Sequence, residues 1–242
     1  MGKRTKKYNK QFFETDNKPY RLKFSQKLYR GLKAFADFLI ALIALIVLSP
    51  LFLIVAIAIK IDSKGPVFFV QKRIGRDGKE FNSSKFRSMT VEANHNVASR
   101  DYAEVKSYIT RVGKVIRKLS IDELPQLFCV LTFKMSLIGY RPLLVCEEEM
   151  DKARKQYNVY QLRPGISGWA QVNGRDVLAA QPKKKAGFDA YYLKHFSLWM
   201  DIKIFFMTIV KVFKCEDIVE GVVGQAEESE AEKEIAATEL ER

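Results

Sequence analysis

An apolar segment near the N-terminus constrains the fold of this chain more than any other feature. Residues 38–59 contain no charged side chain, and about 20 apolar residues suffice for a helix to span the hydrocarbon core of a bilayer. The segment starts too deep in the chain to be a cleavable signal peptide, and no small-residue cleavage site follows it. We therefore interpret it as a membrane-embedded helix.

Two residues in the middle of this segment argue against a straight helix. Pro50 removes a helical hydrogen bond and kinks the axis, and the hydroxyl of Ser49 can bond to the carbonyl that is freed. Basic residues flank both ends, so both ends are predicted to face the cytoplasm. These residues are Lys27, Arg30, Lys33, Lys60, Lys64, Lys72 and Arg73. A kinked helix that enters and leaves by one face satisfies both observations, and an ordinary span with basic residues on both sides is the alternative.

The uneven distribution of charge restricts the partners of the chain. It has 41 Lys and Arg against 28 Asp and Glu, a net charge of +13, which suggests a polyanionic partner. Eleven basic residues lie before residue 34, and ten acidic residues lie after residue 215. A basic arm beside a membrane segment favours attraction to anionic lipids over binding of nucleic acid. Three separated cysteines and two histidines predict neither a disulfide framework nor a metal cluster.

Turn and periodicity signals predict a small antiparallel sheet in a mostly helical chain. Residues 65–70 indicate a turn and a strand, the Asp-Gly pair at 77–78 a hairpin turn, and residues 79–89 the returning strand. Residues 92–118 are predicted to be helical, and residues 164–168 are predicted to form a loop.

Two further helices are predicted. Ser120 and Glu123 have the spacing of a capping box for a short helix, with Asp122 as the alternative cap. In residues 201–214, apolar side chains recur at helical spacing among lysines. Such a basic amphipathic helix lies either in the membrane interface or on the protein core.

Candidate functional residues occur where charge is combined with turn-like positions. Asp122 and Glu123 place two carboxylates at a helix N-terminus, where the macrodipole favours the ionised form of a nucleophile or metal ligand; helix capping is the simpler alternative. Arg141, in a proline turn, either clamps a phosphate or lies on the surface. Lys85 and Arg87 alternate along a predicted strand and therefore share a face, where they either bind a diphosphate or are solvated. The sequence contains no Walker-type, dinucleotide-binding, serine-hydrolase or zinc-protease motif.

Four segments carry a resemblance to a known family. They read KFRSM at 85–89, SIDELPQL at 120–127, MSLIGYRP at 135–142 and RPGISGWAQVNGR at 163–175. In this order, behind an apolar segment with a central Ser-Pro, they resemble the bacterial sugar transferase family, the small monotopic polyprenyl-phosphate phosphoglycosyl transferases. The resemblance covers most of the chain, from about residue 29 to residue 213.

The resemblance implies an α/β fold that is mostly helical with a small antiparallel sheet. It implies a re-entrant membrane helix centred on Ser49 and Pro50, with Lys33 at its cytoplasmic entrance, and amphipathic interfacial helices. The expected division is a basic arm, the re-entrant helix, a catalytic domain and an acidic tail, at residues 1–30, 31–60, 61–215 and 216–242. The expected location is the cytoplasmic face of the bacterial inner membrane, with membrane lipids as partners.

The resemblance also implies a reaction. A sugar 1-phosphate would pass from a UDP-sugar to polyprenyl phosphate, with release of UMP, as the first membrane step of a surface glycan pathway. Asp122 would form a covalent phosphosugar intermediate, Glu123 would act as metal ligand or acid–base partner, and both would hold Mg²⁺. Arg175 would lie near the carrier-lipid phosphate. The implied substrate and phosphate contacts are Lys85, Arg87, Arg141, Arg175, Asp189 and Asp201.

The chain departs from the family pattern at several positions. Cys129 replaces a usual Asn, Phe133-Lys134 a common Gly-Asp pair, Tyr140 a common Pro, and Ala34 the Arg of a Lys-Arg pair. These changes leave the reaction class unchanged but affect expectations of sugar and lipid preference. The alternative function is an inactive membrane scaffold for glycan assembly, which the retained dyad and phosphate arginine argue against. The sequence is also compatible with a homodimer.

Overall fold

The computed structural model describes residues 19–92, 108–173 and 181–214. The helices in these ranges are α1 (Phe24–Val47), α2 (Ser49–Asp62), α3 (Arg111–Lys118), α4 (Leu127–Leu131), α5 (Glu148–Gln156), α6 (Trp169–Val172), α7 (Pro182–Lys194) and α8 (Leu198–Lys214). The strands are β1 (Phe68–Ile74), β2 (Glu80–Phe86), β3 (Ser136–Ile138), β4 (Leu143–Leu144) and β5 (Gly165–Ser167). Short 3₁₀ helices span Arg76–Gly78, Ile121–Gln126 and Val159–Gln161. The predicted mostly helical chain with a small antiparallel sheet is confirmed.

Helices α1 and α2 meet at a bend of 61°. Pro50 lacks the N–H that would bond to the carbonyl of Ile46, and Ser49 Oγ donates a hydrogen bond to this same carbonyl at 2.8 Å. The predicted kink and its compensation by Ser49 are therefore confirmed. Among the described helices, none is by itself long and apolar enough to cross a membrane, whereas the bent pair together has the required length and composition.

The bent pair packs on the remaining described residues by one face only. Ala41 of α1 and Val55 and Ile59 of α2 are buried in separate apolar clusters. Many other apolar side chains of the pair are exposed, and Val47 and Ile61 are the most exposed of those that follow Phe35. An apolar surface of this extent is unusual for a protein surrounded by water.

The sheet is built on the predicted hairpin. β1 pairs antiparallel with β2 along its length, and β4 adds to the other edge of β1, giving the order β2-β1-β4. Asp77 and Gly78 both have positive φ, at 58° and 72°, which the twist of a hairpin favours and which Asp-Gly tolerates. The Asp-Gly turn signal is confirmed.

The predicted loop at 164–168 is wrong, because part of it forms a strand. β5 pairs in parallel with β3, and Ser136 lies opposite Gly165. A Cβ on Gly165 would lie 2.0 Å from the backbone nitrogen of Gly139, so two glycines permit this close approach. Three-residue strands carry too little alternation to be distinguished from a loop in the sequence.

The predicted helix over 92–118 is correct only at its end. Within the described part, Met89 and Ile109 form an antiparallel bridge, and α3 begins at Arg111, where Thr110 Oγ1 accepts a hydrogen bond from the N–H of Gly113. The predicted capping box at Ser120 is also wrong. Ser120 has a left-handed backbone, with φ 55°, and its side chain makes no capping hydrogen bond, because it directly follows the end of α3.

Helix α8 packs on the core by one face. Asp201 and Ile204 are buried, and Ser167 of β5 shares a hydrogen bond of 2.6 Å with Thr208. Core packing of this amphipathic helix is therefore confirmed for one face. Its other face exposes Trp199 and Phe206 among other apolar side chains, so the interfacial location stays a prediction.

A buried polar network fastens α1 to the rest of the protein. Lys33 Nζ lies 3.1 Å from carboxylate oxygens of both Asp37 and Asp201. Tyr29 and Tyr192 donate hydrogen bonds to the two oxygens of Asp201, at 2.6 and 2.5 Å. Only 10% of the Lys33 side chain is exposed, so its charge is balanced inside the protein. The predicted role of Lys33 in membrane topology stays a prediction.

We expect Lys33→Met to destabilise the protein by about 3 kcal/mol, because it leaves two buried carboxylates without their shared cation. Thermal unfolding in detergent, followed by circular dichroism, would show a midpoint several degrees lower. Lys27→Met is the matched control, because Lys27 lies on the same helix but is exposed. Equal midpoints for the two variants would contradict a stabilising role of the network.

Candidate active site

The two candidate carboxylates lie on the 3₁₀ helix Ile121–Gln126, which packs against β2. Ser84 Oγ of β2 donates a hydrogen bond to the carbonyl of Pro125 at 3.2 Å. Glu123 is buried, whereas Asp122 is partly exposed. Packing against the hairpin therefore gives two adjacent carboxylates different surroundings.

Glu123 is the point where three predicted site residues meet. Lys85 Nζ lies 2.7 Å and Arg141 Nη1 3.1 Å from the same oxygen, Glu123 Oε1. Only 8% of the Glu123 side chain is exposed, so both contacts are shielded from water. We call Lys85, Glu123 and Arg141, with the neighbouring Asp122, the carboxylate–cation cluster.

The pKa values of two cations, Lys85 in the cluster and Arg73 beside it, are lowered by their surroundings. Burial lowers the pKa of Lys85, and the charges of Glu123 and Asp122 oppose this effect. Burial and the nearby Arg141 lower the pKa of Arg73 to about 10. Arg73 is itself held by the carbonyl of Pro142, at 3.2 Å. An anion placed among these cations would offset their desolvation and mutual repulsion.

Lys185 on α7 contributes a further cation. Burial, followed by the nearby Arg154, lowers the pKa of Lys185 to about 8, and Arg141 acts in the same direction. The sequence analysis did not identify Lys185, and it treated Arg73 only as a flanking charge. Neither position has a local motif, because its relation to the cluster arises from tertiary packing.

Asp189 is linked to the cluster indirectly, through Arg154. Its carboxylate forms a fully buried ion pair with Arg154, whose Nη2 lies 2.7 Å from Asp189 Oδ2. Arg154 Nη1 also donates a hydrogen bond to the carbonyl of Arg141 at 2.9 Å, and its guanidinium lies over the ring of Tyr140. Asp189 therefore holds Arg154, and Arg154 holds the backbone at Arg141. The predicted contact of Asp189 with substrate stays a prediction.

Arg87 contacts the segment after α2, whereas Lys85 contacts Glu123. The predicted binding of a diphosphate by Arg87 stays a prediction. Its guanidinium donates to the carbonyls of Ser63 and Lys64, both at 2.7 Å, and only 4% of the residue is exposed. Gly65 has φ 122°, and a Cβ there would lie 2.0 Å from Arg87 Nη1. Arg87 therefore fastens the chain after α2 to the end of β2.

Of the two other predicted substrate contacts, Asp201 lies within the described residues and is not part of the cluster. Asp201 contacts Lys33, Tyr29 and Tyr192 in the network that holds α1, and its predicted contact with substrate stays a prediction. Arg175 lies outside the described residues, so its role near the carrier lipid stays a prediction.

The residues present fit a magnesium ion that is bound by two carboxylates and completed by substrate phosphates and water. Within the described ranges, no three or more His, Cys, Asp or Glu side chains are grouped to hold a metal ion. Magnesium often binds through one or two carboxylates and completes its octahedron with substrate phosphates and water. Asp122 and Glu123 supply two adjacent carboxylates for this mode.

Comparisons with known proteins agree with the four motifs. A family model described as "Bacterial sugar transferase" matches residues 28–215. The chain is 44% identical over 186 residues to a UDP-N-acetylgalactosamine-undecaprenyl-phosphate N-acetylgalactosaminephosphotransferase of Aeromonas hydrophila, covering 75% of this chain and 44% of the relative. It is 41% identical over 192 residues to a UDP-glucose:undecaprenyl-phosphate glucose-1-phosphate transferase of Escherichia coli K12, covering 76% and 40%.

A shorter relative matches over more of its length. The chain is 42% identical over 168 residues to the uncharacterized sugar transferase EpsL of Bacillus subtilis, covering 69% of this chain and 79% of the relative. By contrast, the chain spans less than half the length of the Aeromonas and Escherichia relatives. The names of those two relatives specify different sugars, so similarity at this level does not determine the sugar.

Lys185→Met should stabilise the ligand-free protein at pH 7, by about 2 kcal/mol, because it removes a partly buried charge that nearby arginines repel. The pKa of Lys185 is about 8 in the folded protein and 10.5 ordinarily. Between these values the unfolded chain binds more protons, so the free energy of unfolding of the wild type rises with pH. The advantage of the variant should therefore shrink from pH 8 to pH 10 in chemical denaturation.

Lys183→Met, an exposed position on the same helix, is the control and should change stability little at any pH. A stability difference between Lys185→Met and wild type that does not vary with pH would contradict the lowered pKa.

Proposed function

This chain belongs to the bacterial sugar transferase family, and we propose that it transfers a sugar 1-phosphate from a UDP-sugar to a polyprenyl phosphate, releasing UMP. The observation that carries the proposal is the carboxylate–cation cluster. It places a partly exposed carboxylate, Asp122, next to a buried one, Glu123, whose Oε1 contacts two cations. Transfer of a phosphoryl group between two anions requires this combination of nucleophile and positive charge.

The cations of the cluster would bind the diphosphate of the donor. Lys85 and Arg141 are each partly exposed, at 20% and 25% of the side chain, so their donors can contact a ligand as well as Glu123. Arg73 and Lys185 add positive charge that burial disfavours. A diphosphate would neutralise these charges, and this gain supplies binding energy at the reacting group.

Asp122 is the better placed of the two carboxylates to act as nucleophile. Glu123 is buried, with two cations on one oxygen, and moving it would disrupt both contacts. Asp122 is more exposed and lies within the electrostatic influence of Lys85. In this division of roles, Glu123 orders Lys85 and Arg141, and Asp122 attacks.

The reaction would proceed in two steps. A carboxylate oxygen of Asp122 attacks the sugar-linked phosphorus, and the bond to the bridging oxygen of the diphosphate breaks. UMP leaves with that electron pair, and an acyl phosphosugar remains on the protein. A phosphate oxygen of the polyprenyl phosphate then attacks the same phosphorus, and the carboxylate of Asp122 leaves, giving polyprenyl diphosphosugar.

Magnesium held by Asp122, Glu123 and the donor phosphates would neutralise charge on the diphosphate. The cations of the protein would have the same effect. Arg154, which is paired with Asp189, holds the backbone of Arg141 in place.

The bent helix pair would place this site at the membrane. Its exposed apolar face and 61° bend are consistent with a helix that enters and leaves the bilayer on the cytoplasmic face. A polyprenyl carrier is dissolved in the bilayer, so an enzyme that uses it must hold its site at the membrane surface. The inner membrane of a bacterium is the proposed location, and a surface glycan or glycoconjugate pathway is the proposed context.

Asp122→Asn should abolish UMP release, with a loss of about 1,000-fold or more, because an amide does not form the acyl phosphate. The measurement is UMP release from a panel of UDP-sugars with undecaprenyl phosphate and Mg²⁺. Glu80→Gln, which removes an exposed carboxylate from the strand that carries Lys85, should retain activity. Wild-type protein that is folded and membrane-inserted but releases no UMP with any sugar would favour the inactive-scaffold alternative.

Pro50→Leu should straighten the bent pair and convert it into a span. Single cysteines at Arg21→Cys and Lys64→Cys, in a background without native cysteines, would be labelled in intact cells with a membrane-impermeant thiol reagent. We expect neither site to react in the parent and one site to react after Pro50→Leu, with Pro66→Leu as the control. If both sites stay protected in Pro50→Leu, the proline does not determine the topology.

A further inference from the structure

Three arginines from separate segments converge on one side of the protein. Arg30 lies on α1, Arg76 follows β1, and Arg163 precedes β5. Arg30 Nη1 donates a hydrogen bond to the carbonyl of Gln161 at 3.1 Å, and the turn Arg76–Gly78 packs against the same 3₁₀ helix. We call Arg30, Arg76 and Arg163 the arginine triad.

The triad carries positive charge that the described residues only partly balance. Burial and the charge of Arg76 lower the pKa of Arg30, and burial, Arg76 and Arg30 lower the pKa of Arg163. Asp77 lies 3.2 Å from Arg76 Nε but is 57% exposed. Asp37 also acts on Arg163, but it is bound to Lys33 and accepts a hydrogen bond from Ser136.

The hydrogen-bonding capacity of the triad is also incompletely used. Arg76 Nε is buried and makes no hydrogen bond with the described residues, although Asp77 Oδ2 lies within ion-pair distance of it. Among the residues that the structure describes, no carboxylate lies within ion-pair distance of Arg30 or Arg163. Arginine forks bind phosphate bidentately, so an oxyanion with several acceptor oxygens fits this arrangement.

An apolar surface begins directly beside the triad. The guanidinium of Arg163 lies over the ring of Phe133, 5.4 Å from its centroid. Phe133 is 47% exposed and stacks on Phe38, the first residue of the uncharged segment of α1, with ring centroids 5.5 Å apart. Phe133 also has a left-handed backbone, with φ 56°, which is rare for a bulky residue. Positive charge and exposed aromatic surface therefore meet at one place on α1.

We propose that the arginine triad binds the phosphate group of a membrane lipid, whose hydrocarbon chain lies along Phe133 and the exposed face of α1. The triad and the carboxylate–cation cluster have no residue in common. A phosphate group on an apolar chain has two sources. One source is the polyprenyl phosphate of the proposed reaction, and for this ligand the inference rests on the proposed function. The other source is an anionic phospholipid.

The test is lipid binding by the full chain, measured by native mass spectrometry in a neutral detergent. The probes are undecaprenyl phosphate, phosphatidylglycerol and undecaprenol, which lacks the phosphate. We expect Arg163→Gln and Arg30→Gln each to weaken binding of at least one phosphate-bearing lipid by about tenfold. Undecaprenol should bind weakly and equally to all variants.

Control variants separate binding from folding. Lys27→Gln removes an exposed charge from the same helix and should leave lipid binding within about twofold of wild type. Arg163→Lys keeps the charge and should recover part of the binding. Phe133→Gly relieves the left-handed backbone and should weaken binding through loss of the ring, without lowering the thermal midpoint.

The outcomes are distinguishable from those of the proposed reaction. Triad-dependent binding of undecaprenyl phosphate alone identifies the carrier as the ligand, and triad-dependent binding of phosphatidylglycerol identifies a phospholipid site; either supports the inference. Phosphate-bearing lipids that bind Arg163→Gln and Arg30→Gln as tightly as wild type would overturn it. Because no turnover is measured, a failure of UMP release leaves this result unaffected.

Discussion

The candidate site is organised around one carboxylate oxygen. Lys85 from the hairpin and Arg141 from the segment before β4 both contact Glu123 Oε1, so three separate parts of the chain meet at one buried anion. Removing that anion would leave two cations facing each other in a shielded environment, which is costly. Asp122 is thereby placed beside positive charge while it stays more exposed than Glu123, and this difference allows two adjacent carboxylates to have different roles.

Buried ion pairs fix both this site and the bent helix pair to the rest of the fold. Asp189 holds Arg154, and Arg154 holds the backbone of Arg141. Lys33, shared between Asp37 and Asp201, joins α1 to α8. The Lys33–Asp201 and Arg154–Asp189 pairs link elements that are distant in sequence, so the same fold sets the position of the bent helices and that of the cluster.

Local chemistry was predictable from the sequence, and long-range packing was not. The kink at Pro50 and the Asp-Gly hairpin turn each depend on one or two residues, and both were confirmed. The role of Ser120 was missed because the preceding helix ends there, and β5 was missed because it exists only by pairing with β3. Arg87 and Asp189 look like substrate contacts in a motif, but their partners are distant in the sequence and become visible only in the fold.

The central claim is that Asp122 becomes covalently bonded to the phosphosugar. The most direct test is peptide mapping by mass spectrometry after incubation with a UDP-sugar and Mg²⁺ in the absence of carrier lipid. The account predicts a mass increase of one sugar phosphate on the peptide that contains Asp122, lost on addition of undecaprenyl phosphate. An unmodified peptide, together with UMP release that occurs only when the carrier is present, would indicate direct transfer between the two substrates and contradict the account.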